Sequence, residues 1–380
     1  MEYRILGRTG LKVGAIALGC EGFTDKTAEE VRANFDFAIR NGINFLDLYA
    51  SNPTLRSNIG AALAGRREKF VIQGHLCSVW EEGQYLRTRD PEKSLAAFED
   101  MLARLGTDYV EIGMIHYVDA EADLREVLDG PIMRLAQRLR SEGRIRHIGL
   151  SSHNPVVAHM AARTGLIDVL MFSVNPCYDL LPPSDDVDTL WADESYAREL
   201  HNIDPERQRL YEFCEREGIA IDVMKAYGGG DLLSDANSPF GRPMTPVQCL
   251  EYALTRPGVA AVMAGCRAEI EGALAWCSAT AAERDYTGAL AGLDKFSWEG
   301  HCMYCGHCAP CSVGIDIAGV NKYYNLTLAQ HEIPETVREH YRLLPHHASE
   351  CIACGRCERN CPFGVDIIGH MRLAAAKFGY

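Results

Sequence analysis

Most of the chain alternates between short apolar runs and longer segments in which apolar residues recur with helical periodicity. The apolar runs lie at residues 14–20, 44–49, 69–75, 109–117, 145–152, 168–174, 219–226 and 259–265. Runs of this length without polar alternation are typical of strands that are buried on both faces of a parallel sheet. Eight such strands, each followed by a helix, predict an α/β fold with a (β/α)8 barrel, also called a TIM barrel.

The residues between the runs support this prediction. Thr27 is followed three residues later by Glu30, which is the signature of a capping box, and Gly42 ends that helical segment. A doubly wound sheet is the alternative fold, but it usually carries a G-x-G-x-x-G turn after its first strand. Residues 19–22 (GCEG) lack this turn, so we favour the barrel.

One connection is much longer than the others. Residues 178–204 separate the sixth strand from its helix, whereas loops of this kind usually have about 2–6 residues. In a barrel this loop lies at the C-terminal ends of the strands, where active sites are found. It is either a solvated insertion or a wall of the active site, and the aromatic residues Trp191 and Tyr196 support the second interpretation.

The alternation of strands and helices stops after residue 295, and a cysteine-rich segment follows. The chain has 15 cysteines, and eight of them lie between residues 302 and 361. They form the motifs Cys302-x2-Cys305-x2-Cys308-x2-Cys311 and Cys351-x2-Cys354-x2-Cys357-x3-Cys361-Pro. We therefore predict two domains, a barrel at 1–295 and a small, mainly helical, ferredoxin-like domain at 296–380.

The second motif has the spacing of bacterial ferredoxins, in which three cysteines bind one [4Fe-4S] cluster and the fourth binds the other. By this logic one cluster takes Cys302, Cys305, Cys308 and Cys361, and the other takes Cys311, Cys351, Cys354 and Cys357. The first motif has two residues rather than three before its last cysteine, so one cluster with a degenerate second site is an alternative. Zinc is another, since four-cysteine zinc sites also use Cys-x2-Cys pairs. We favour two [4Fe-4S] clusters.

Composition and charge limit the possible partners and location. Lys and Arg number 38, Asp and Glu number 52, and the formal net charge is −14. This balance argues against binding to nucleic acid or an anionic membrane, which would need a basic face. The sequence begins without an apolar signal core and has no run of about 20 apolar residues. We therefore expect a cytoplasmic protein whose clustered cysteines bind metal rather than form disulfides.

Polar residues follow several predicted strands, at the end of a barrel where catalytic residues are found. Asp47 and Tyr49 end the second strand, His75 the third, His116 the fourth and His153 follows the fifth. A single histidine at a strand end is more often a hydrogen-bonded core residue than a catalyst. One aspartate and three histidines at equivalent ends of neighbouring strands are harder to explain in that way.

Several segments also resemble one known family. They are YRILGRTGLKV at 3–13, GINFLD at 42–47, LGTDYV at 105–110, IH at 115–116, GRIRHIGLS at 143–151, MK at 224–225, GGG at 228–230 and PGV at 257–259. Together they make the chain similar to the aldo-keto reductases, and specifically to the bacterial branch with a C-terminal ferredoxin-like module. This resemblance implies a (β/α)8 barrel that binds extended NAD(P)H across the strand ends and reduces carbonyl compounds.

The resemblance implies a catalytic set of Asp, Tyr, Lys and His. Asp47 and His116 match this set, but Asn52 stands in the position of the tyrosine and His75 in that of the lysine. Asn52 cannot supply the proton that the family tyrosine donates. We expect His75 or His116 to replace it, because imidazole titrates near neutral pH. Asp47 would orient one of them, and Tyr49 is a further candidate donor.

The resemblance also implies sites for the nicotinamide cofactor, NADP or NAD. The candidate residues are Ser151, Ser152, Asn175, Tyr178, Lys225, Gly265 and Arg267. The two serines correspond to the segment that holds the carboxamide, and the tyrosine to the residue that stacks on the nicotinamide. The glycine and the arginine stand next to a helix start, where amides and a guanidinium can hold a phosphate.

The leading hypothesis is an oxidoreductase that acts on a small carbonyl or hydroxyl compound with NAD(P)H. Clusters transfer single electrons and nicotinamide transfers hydride. The clusters are therefore structural, or the substrate reacts in one-electron steps, or a redox partner protein takes part. A second hypothesis is an acid–base or metal-dependent lyase or isomerase, because Asp47, His75 and His116 are the residue types of a two-His, one-carboxylate iron site. A third is an electron-transfer subunit.

Overall fold

The computed structural model, which describes residues 1–265, 267–328 and 333–380, contains a closed barrel of eight parallel strands. The strands are β1 (Ile16–Gly19), β2 (Phe45–Leu48), β3 (Val71–Leu76), β4 (Val110–Ile115), β5 (Ile145–Ser152), β6 (Val169–Ser173), β7 (Ala220–Met224) and β8 (Val259–Ala264). Each strand pairs with the next in the chain, and β8 pairs with β1 to close the ring. Seven lie within the apolar runs and β3 extends one residue beyond its run, so the predicted barrel is confirmed.

At least one helix follows each strand and packs outside the ring. The helices are α1 (Ala28–Arg40), α2 (Pro53–Leu63), α3 (Pro91–Leu105), α4 (Glu121–Asp129), α5 (Pro131–Ser141), α6 (Pro155–Arg163), α7 (Pro205–Glu217), α8 (Pro246–Leu254) and α9 (Arg267–Ala275). The capping box predicted at Thr27 and Glu30 is present at the start of α1. The apolar residues between helices and strands form the main core of the protein.

Three short two-stranded pairs lie outside the barrel. Tyr3–Ile5 pairs with Lys12–Gly14 at the N-terminus, and Leu200–His201 pairs with Phe296–Ser297. The third pair, Ser78–Glu81 with Gln84–Arg87, forms a hairpin directly after β3. Its turn residues Glu82 and Gly83 both have positive φ, as a tight hairpin turn requires.

The long connection at 178–204 is folded and packs against the barrel. It contains the short helical turns Tyr178–Leu180, Val187–Leu190 and Asp193–Tyr196. Leu180, Leu181 and Leu190 are buried in the core, and the Lys225 amino group lies 4.4 Å from the centre of the Trp191 ring. This packing favours a wall of the active site over a solvated insertion.

The C-terminal domain is mainly helical, as predicted. After the barrel come α10 (Ala281–Arg284), α11 (Thr287–Leu290), α12 (Ile317–Leu328), α13 (Glu335–Arg342), α14 (Arg356–Asn360) and α15 (Ile367–Phe378). Helix α12 packs against α15, and Lys322 of α12 forms an ion pair of 3.1 Å with Glu215 of α7. Across the described ranges, no helix is both long and apolar enough to span a membrane.

Helices α2 and α3 are in close contact at Gly60. A β-carbon at this position would overlap the backbone oxygen of Arg104. We expect Gly60→Ala to lower the free energy of unfolding by about 1–3 kcal/mol, because the two helices must separate to admit the methyl group. Thermal and urea unfolding followed by far-UV circular dichroism would measure the change.

Gly288→Ala is the matched control for this substitution. Gly288 is also helical, and a β-carbon there would meet nothing within 4 Å. We expect this variant to stay within about 1 kcal/mol of the unmodified protein. Equal effects of the two substitutions would contradict a tight α2–α3 contact.

Candidate active site and cluster sites

A cleft of about 450 Å³ opens at the C-terminal ends of the barrel strands. All eight strands contribute to it, through Gly19, Asp47, His75, His116, Ser151, Met171, Met224 and Met263. The long loop and the hairpin after β3 stand around this end of the barrel. The position agrees with the general placement of active sites in barrels of this kind.

Asp47, His75 and His116 form one hydrogen-bonded chain in this cleft. Asp47 Oδ1 lies 2.9 Å from His75 Nε2, and His75 Nδ1 lies 2.8 Å from His116 Nδ1. All three side chains are buried. The structure therefore brings together the three residues that the strand-end pattern singled out.

The carboxylate determines which imidazole nitrogens carry protons. An ionised carboxylate only accepts, so His75 Nε2–H donates to Asp47. The Nδ1 atom of neutral His75 is then an acceptor, and His116 Nδ1–H donates to it. As a result His116 Nε2 carries a lone pair. Within the described residues nothing hydrogen-bonds to this atom, and the ring lines the cleft.

The electrostatic surroundings keep His116 neutral. Burial lowers its pKa well below the ordinary histidine value, and the nearby Arg89 guanidinium lowers it further. A neutral imidazole with a bare Nε2 can accept a proton from a hydroxyl group. The imidazolium that forms would be stabilised through His75 by Asp47, as in other His–Asp systems.

A second carboxyl group lies below Asp47 in the barrel interior. Gln73 donates from Nε2 to Asp47 Oδ1 at 2.9 Å and to Asp222 Oδ2 at 3.0 Å. Burial raises the pKa of Asp222, and the charge of Asp47 raises it further. Both effects favour the protonated form of Asp222. Sequence reasoning missed both Gln73 and Asp222, although each is a polar residue inside an apolar strand.

The structure separates Tyr49 from Asn52. Tyr49 lines the cleft, and its ring lies parallel to that of His116 with centroids 5.5 Å apart. Burial and a hydrogen bond to Glu21 raise the pKa of Tyr49. Asn52 instead caps helix α2, where its side-chain oxygen accepts from Leu55 N at 3.0 Å. The Asn52 side chain therefore caps a helix and does not line the cleft.

A second imidazole–carboxylate pair stands beside the first. His153 Nδ1 lies 2.9 Å from Asp119 Oδ2, and the backbone N of His153 donates to Asp119 Oδ1 at 2.6 Å. Tyr117 lies between the two histidines, with ring centroids 5.3 Å from His116 and 5.7 Å from His153. His153 appeared in the strand-end pattern, whereas its partner Asp119 did not.

Two cavities in the C-terminal domain each gather four cysteines. Site I is lined by Cys302, Cys305, Cys308 and Cys361. Site II is lined by Cys311, Cys351, Cys354 and Cys357, with Cys308 at its edge. These are the two sets that the ferredoxin spacing predicts. Four thiolates around one cavity fit a cubane cluster, whose four irons each take one thiolate.

Comparison with known proteins identifies the family. A model of the aldo/keto reductase family matches residues 11–279, which is more than half of the chain. The chain belongs to the aldo/keto reductase family. A model of the 4Fe-4S dicluster domain matches residues 301–366. The family and the iron–sulfur domain that the motifs predicted are therefore confirmed.

Individual relatives are distant from this aldo/keto reductase. An uncharacterized oxidoreductase of Bacillus subtilis (strain 168) is 28% identical over 177 residues, which is 45% of this chain and 56% of that protein. L-galactose dehydrogenase of Arabidopsis thaliana is 28% identical over 202 residues, 48% of this chain and 61% of that protein. The chain thus spans less than two thirds of the length of either relative.

A solved structure supports the barrel assignment. The holo form of an aldo-keto reductase from Bacillus halodurans has a TM-score of 0.57 and 23% identity to the chain, over 75% of this chain and 94% of that one. At this identity the similarity establishes the fold of the aldo/keto reductase barrel.

The residues predicted for the nicotinamide cofactor of this aldo/keto reductase are only partly in the cleft. Ser151, Lys225 and Gly265 line it. Ser152 instead donates to Asp119 at 3.1 Å, and Asn175 donates to the Lys225 backbone oxygen at 2.9 Å. Tyr178, expected to stack on the nicotinamide, is 2% exposed and packs into the core. Its short helical turn directs the side chain inward, and Tyr227 lines the cleft.

The phosphate end of the predicted cofactor site is already occupied by side chains. Gly265 N donates to Glu269 Oε2 at 2.7 Å, so a carboxylate takes the amide that a phosphate would need. Arg267 pairs with Glu271 at 2.6 Å, and its guanidinium lies 3.5 Å from the centre of the Phe37 ring. A phosphate bound here would have to displace these two carboxylates. Cys266 lies outside the described residues.

The metal-dependent alternative does not fit the geometry of the cleft. His75 and His116 turn their Nδ1 atoms toward each other, and His75 uses Nε2 for Asp47. Two histidines and one carboxylate that bind each other in this way do not present three ligands to one ion.

Paired substitutions would test which cysteines share a cluster. Cys302→Ser with Cys361→Ser removes two ligands of site I, and we expect about half of the roughly eight irons per chain to remain. Cys302→Ser with Cys351→Ser removes one ligand from each site, and we expect little iron to remain. Iron and sulfide analysis of anaerobically purified protein would measure both. Equal iron loss in the two pairs would contradict the crossed assignment.

Proposed function

We propose that this aldo/keto reductase family member is an oxidoreductase that interconverts a hydroxyl and a carbonyl group on a small molecule in the cleft. The observation that carries the proposal is the chain Asp47–His75–His116, which ends in a bare imidazole nitrogen lining the cleft. Family membership and the oxidoreductase and dehydrogenase names of the relatives support it.

The chain of hydrogen bonds performs the proton transfer of this reaction. In the oxidising direction His116 Nε2 accepts the hydroxyl proton, and the positive charge is shared with His75 and stabilised by Asp47. In the reducing direction the His116 imidazolium returns the proton to the carbonyl oxygen. Gln73 and Asp222 hold Asp47 in place for this role.

NADP or NAD is the hydride carrier that family membership implies. Glu269 and Glu271 engage the residues predicted for its phosphate, and the proposed proton transfer uses none of these residues. Anaerobic titration with NADPH and NADH, followed by nicotinamide fluorescence, would measure its binding directly.

The clusters would exchange electrons with a separate redox partner protein. Site II supports this proposal, because Cys354 is exposed and the neighbouring Ile352 is 62% exposed. Site I lies deeper, beside buried residues of the barrel. An electron-transfer subunit without its own substrate is the second candidate function, and the exposed edge of site II is the observation that favours it.

Loss of the terminal imidazole tests the proposed reaction. We expect His116→Ala to lower kcat by about 10²- to 10⁴-fold, the usual contribution of a general acid–base group. The assay would follow nicotinamide absorbance with L-galactose and a panel of aldehydes and ketones. His201→Ala, which alters an exposed histidine, is the control and should leave the rate unchanged. Full activity of His116→Ala would exclude this residue as the proton acceptor.

The pH profile tests the protonation state. His116 must be neutral to accept a proton, and burial lowers its pKa. The rate of alcohol oxidation should therefore stay constant as the pH falls past about 6.5, the ordinary histidine pKa, and decline only in more acidic solution. A plot of log(kcat/KM) against pH would show this. An acidic limb at or above 6.5 would assign the titration to another group.

A further inference from the structure

Arg256 is a buried cation between the barrel and the iron–sulfur domain. It follows α8 and lies three residues before β8, and its side chain is 1% exposed. Its Nε donates to the Tyr252 backbone oxygen at 3.1 Å. Its Nη2 donates to Tyr286 Oη at 3.2 Å and to the backbone oxygen of Met303, the residue after Cys302.

This guanidinium forms no ion pair of its own. Among the described residues no carboxylate oxygen lies within 4.0 Å of it, and Nη1 is buried without a hydrogen-bond partner. Asp179, a buried carboxylate whose charge acts on Arg256 from farther away, pairs with Arg207 at 3.4 Å. The other neighbours of Arg256 are the rings of Tyr252 and Tyr304, at 4.5 and 5.1 Å. A guanidinium stays protonated even when buried, and a buried charge without a counter-ion is strongly destabilising. The position therefore calls for an anion.

Site I supplies that anion. Met303 and Tyr304, both in contact with Arg256, line the site I cavity with its four cysteines. A [4Fe-4S] cluster with four thiolates carries a net negative charge, which increases when the cluster accepts an electron. A fixed positive charge in a poorly solvated place favours the more negative, reduced state.

The surroundings of site II are different. The cation at this cavity is Arg356, which is exposed to solvent like its neighbour Cys354. Water and salt screen an exposed charge, so Arg356 changes the free energy of reducing the site II cluster much less.

We propose that Arg256 is the counter-ion of the site I cluster and makes that cluster easier to reduce than the cluster of site II.

A potentiometric titration of the full-length, cluster-loaded protein tests the proposal. Electron paramagnetic resonance would follow each reduced cluster as dithionite is added under anaerobic conditions. In Arg256→Gln we expect the higher-potential cluster to become harder to reduce. Its oxidised-to-reduced ratio at a fixed potential should change by at least about tenfold, or 59 mV for a one-electron couple. Arg256→Lys keeps the charge, so its oxidised-to-reduced ratio at the same potential should stay within about threefold of that of the unmodified protein.

Two comparisons assign the effect to site I. Arg356→Gln makes the same change of charge at the exposed site. We expect it to change the oxidised-to-reduced ratio of either cluster, at a fixed potential, by less than about threefold. The pair Cys302→Ser and Cys361→Ser should remove the higher-potential signal and leave the other.

The possible outcomes divide clearly. Unchanged potentials in Arg256→Gln at full iron content would overturn the proposal, and so would equal shifts in Arg256→Gln and Arg356→Gln. Loss of site I iron in Arg256→Gln but not in Arg256→Lys would support the counter-ion role. Loss of site I iron in both variants would overturn it, because the hydrogen bond to Met303, rather than the positive charge, would then hold the cluster in place.

Discussion

Closure of the strand ladder is the constraint on which the rest of the structure depends. Because the last strand pairs with the first, eight carboxyl ends meet around one rim, and side chains point alternately into and out of the ring. Gln73 and His75 are two residues apart on β3 and therefore both face inward. Asp47 on β2 is directly paired with Gln73. The hydrogen-bonded chain of the cleft thus follows from the register between neighbouring strands.

The polar groups inside the barrel satisfy one another only in part. Asp222, Gln73 and Asp47 are all buried, and one amide donates to both carboxyl groups, whereas Gln73 Oε1 and Asp222 Oδ1 have no hydrogen-bond partner. Burial and the charge of Asp47 raise the pKa of Asp222, which disfavours a second negative charge beside the imidazoles. Another buried carboxyl group, Asp179, accepts hydrogen bonds from Tyr211 of α7 and Tyr252 of α8. It ties the start of the long cleft loop to the helices that carry the iron–sulfur domain.

The barrel and the two cysteine sets could be predicted because both leave regular patterns in the sequence. Strand positions follow from apolar runs, and cluster ligands follow from fixed spacing. The details of the cleft depended on competing local contacts that spacing does not reveal. Asn52 is used by a helix cap, Tyr178 turns inward with its short helix, and Glu269 takes the Gly265 amide. The hairpin after β3 was missed, although Glu82-Gly83 is a turn signal.

The iron–sulfur domain is joined to the barrel near the N-terminal end of β8, where Arg256 meets Met303. The cleft lies at the opposite ends of the strands, which at about 3.3 Å per residue is some 15–20 Å away for strands of this length. Shorter loops at the rim can therefore change in length and sequence without touching a cluster ligand. The long loop after β6 differs, because its Leu200–His201 segment pairs with Phe296–Ser297 at the start of the cysteine-rich domain. A change in that loop would therefore be felt by the cleft and by the metal module together.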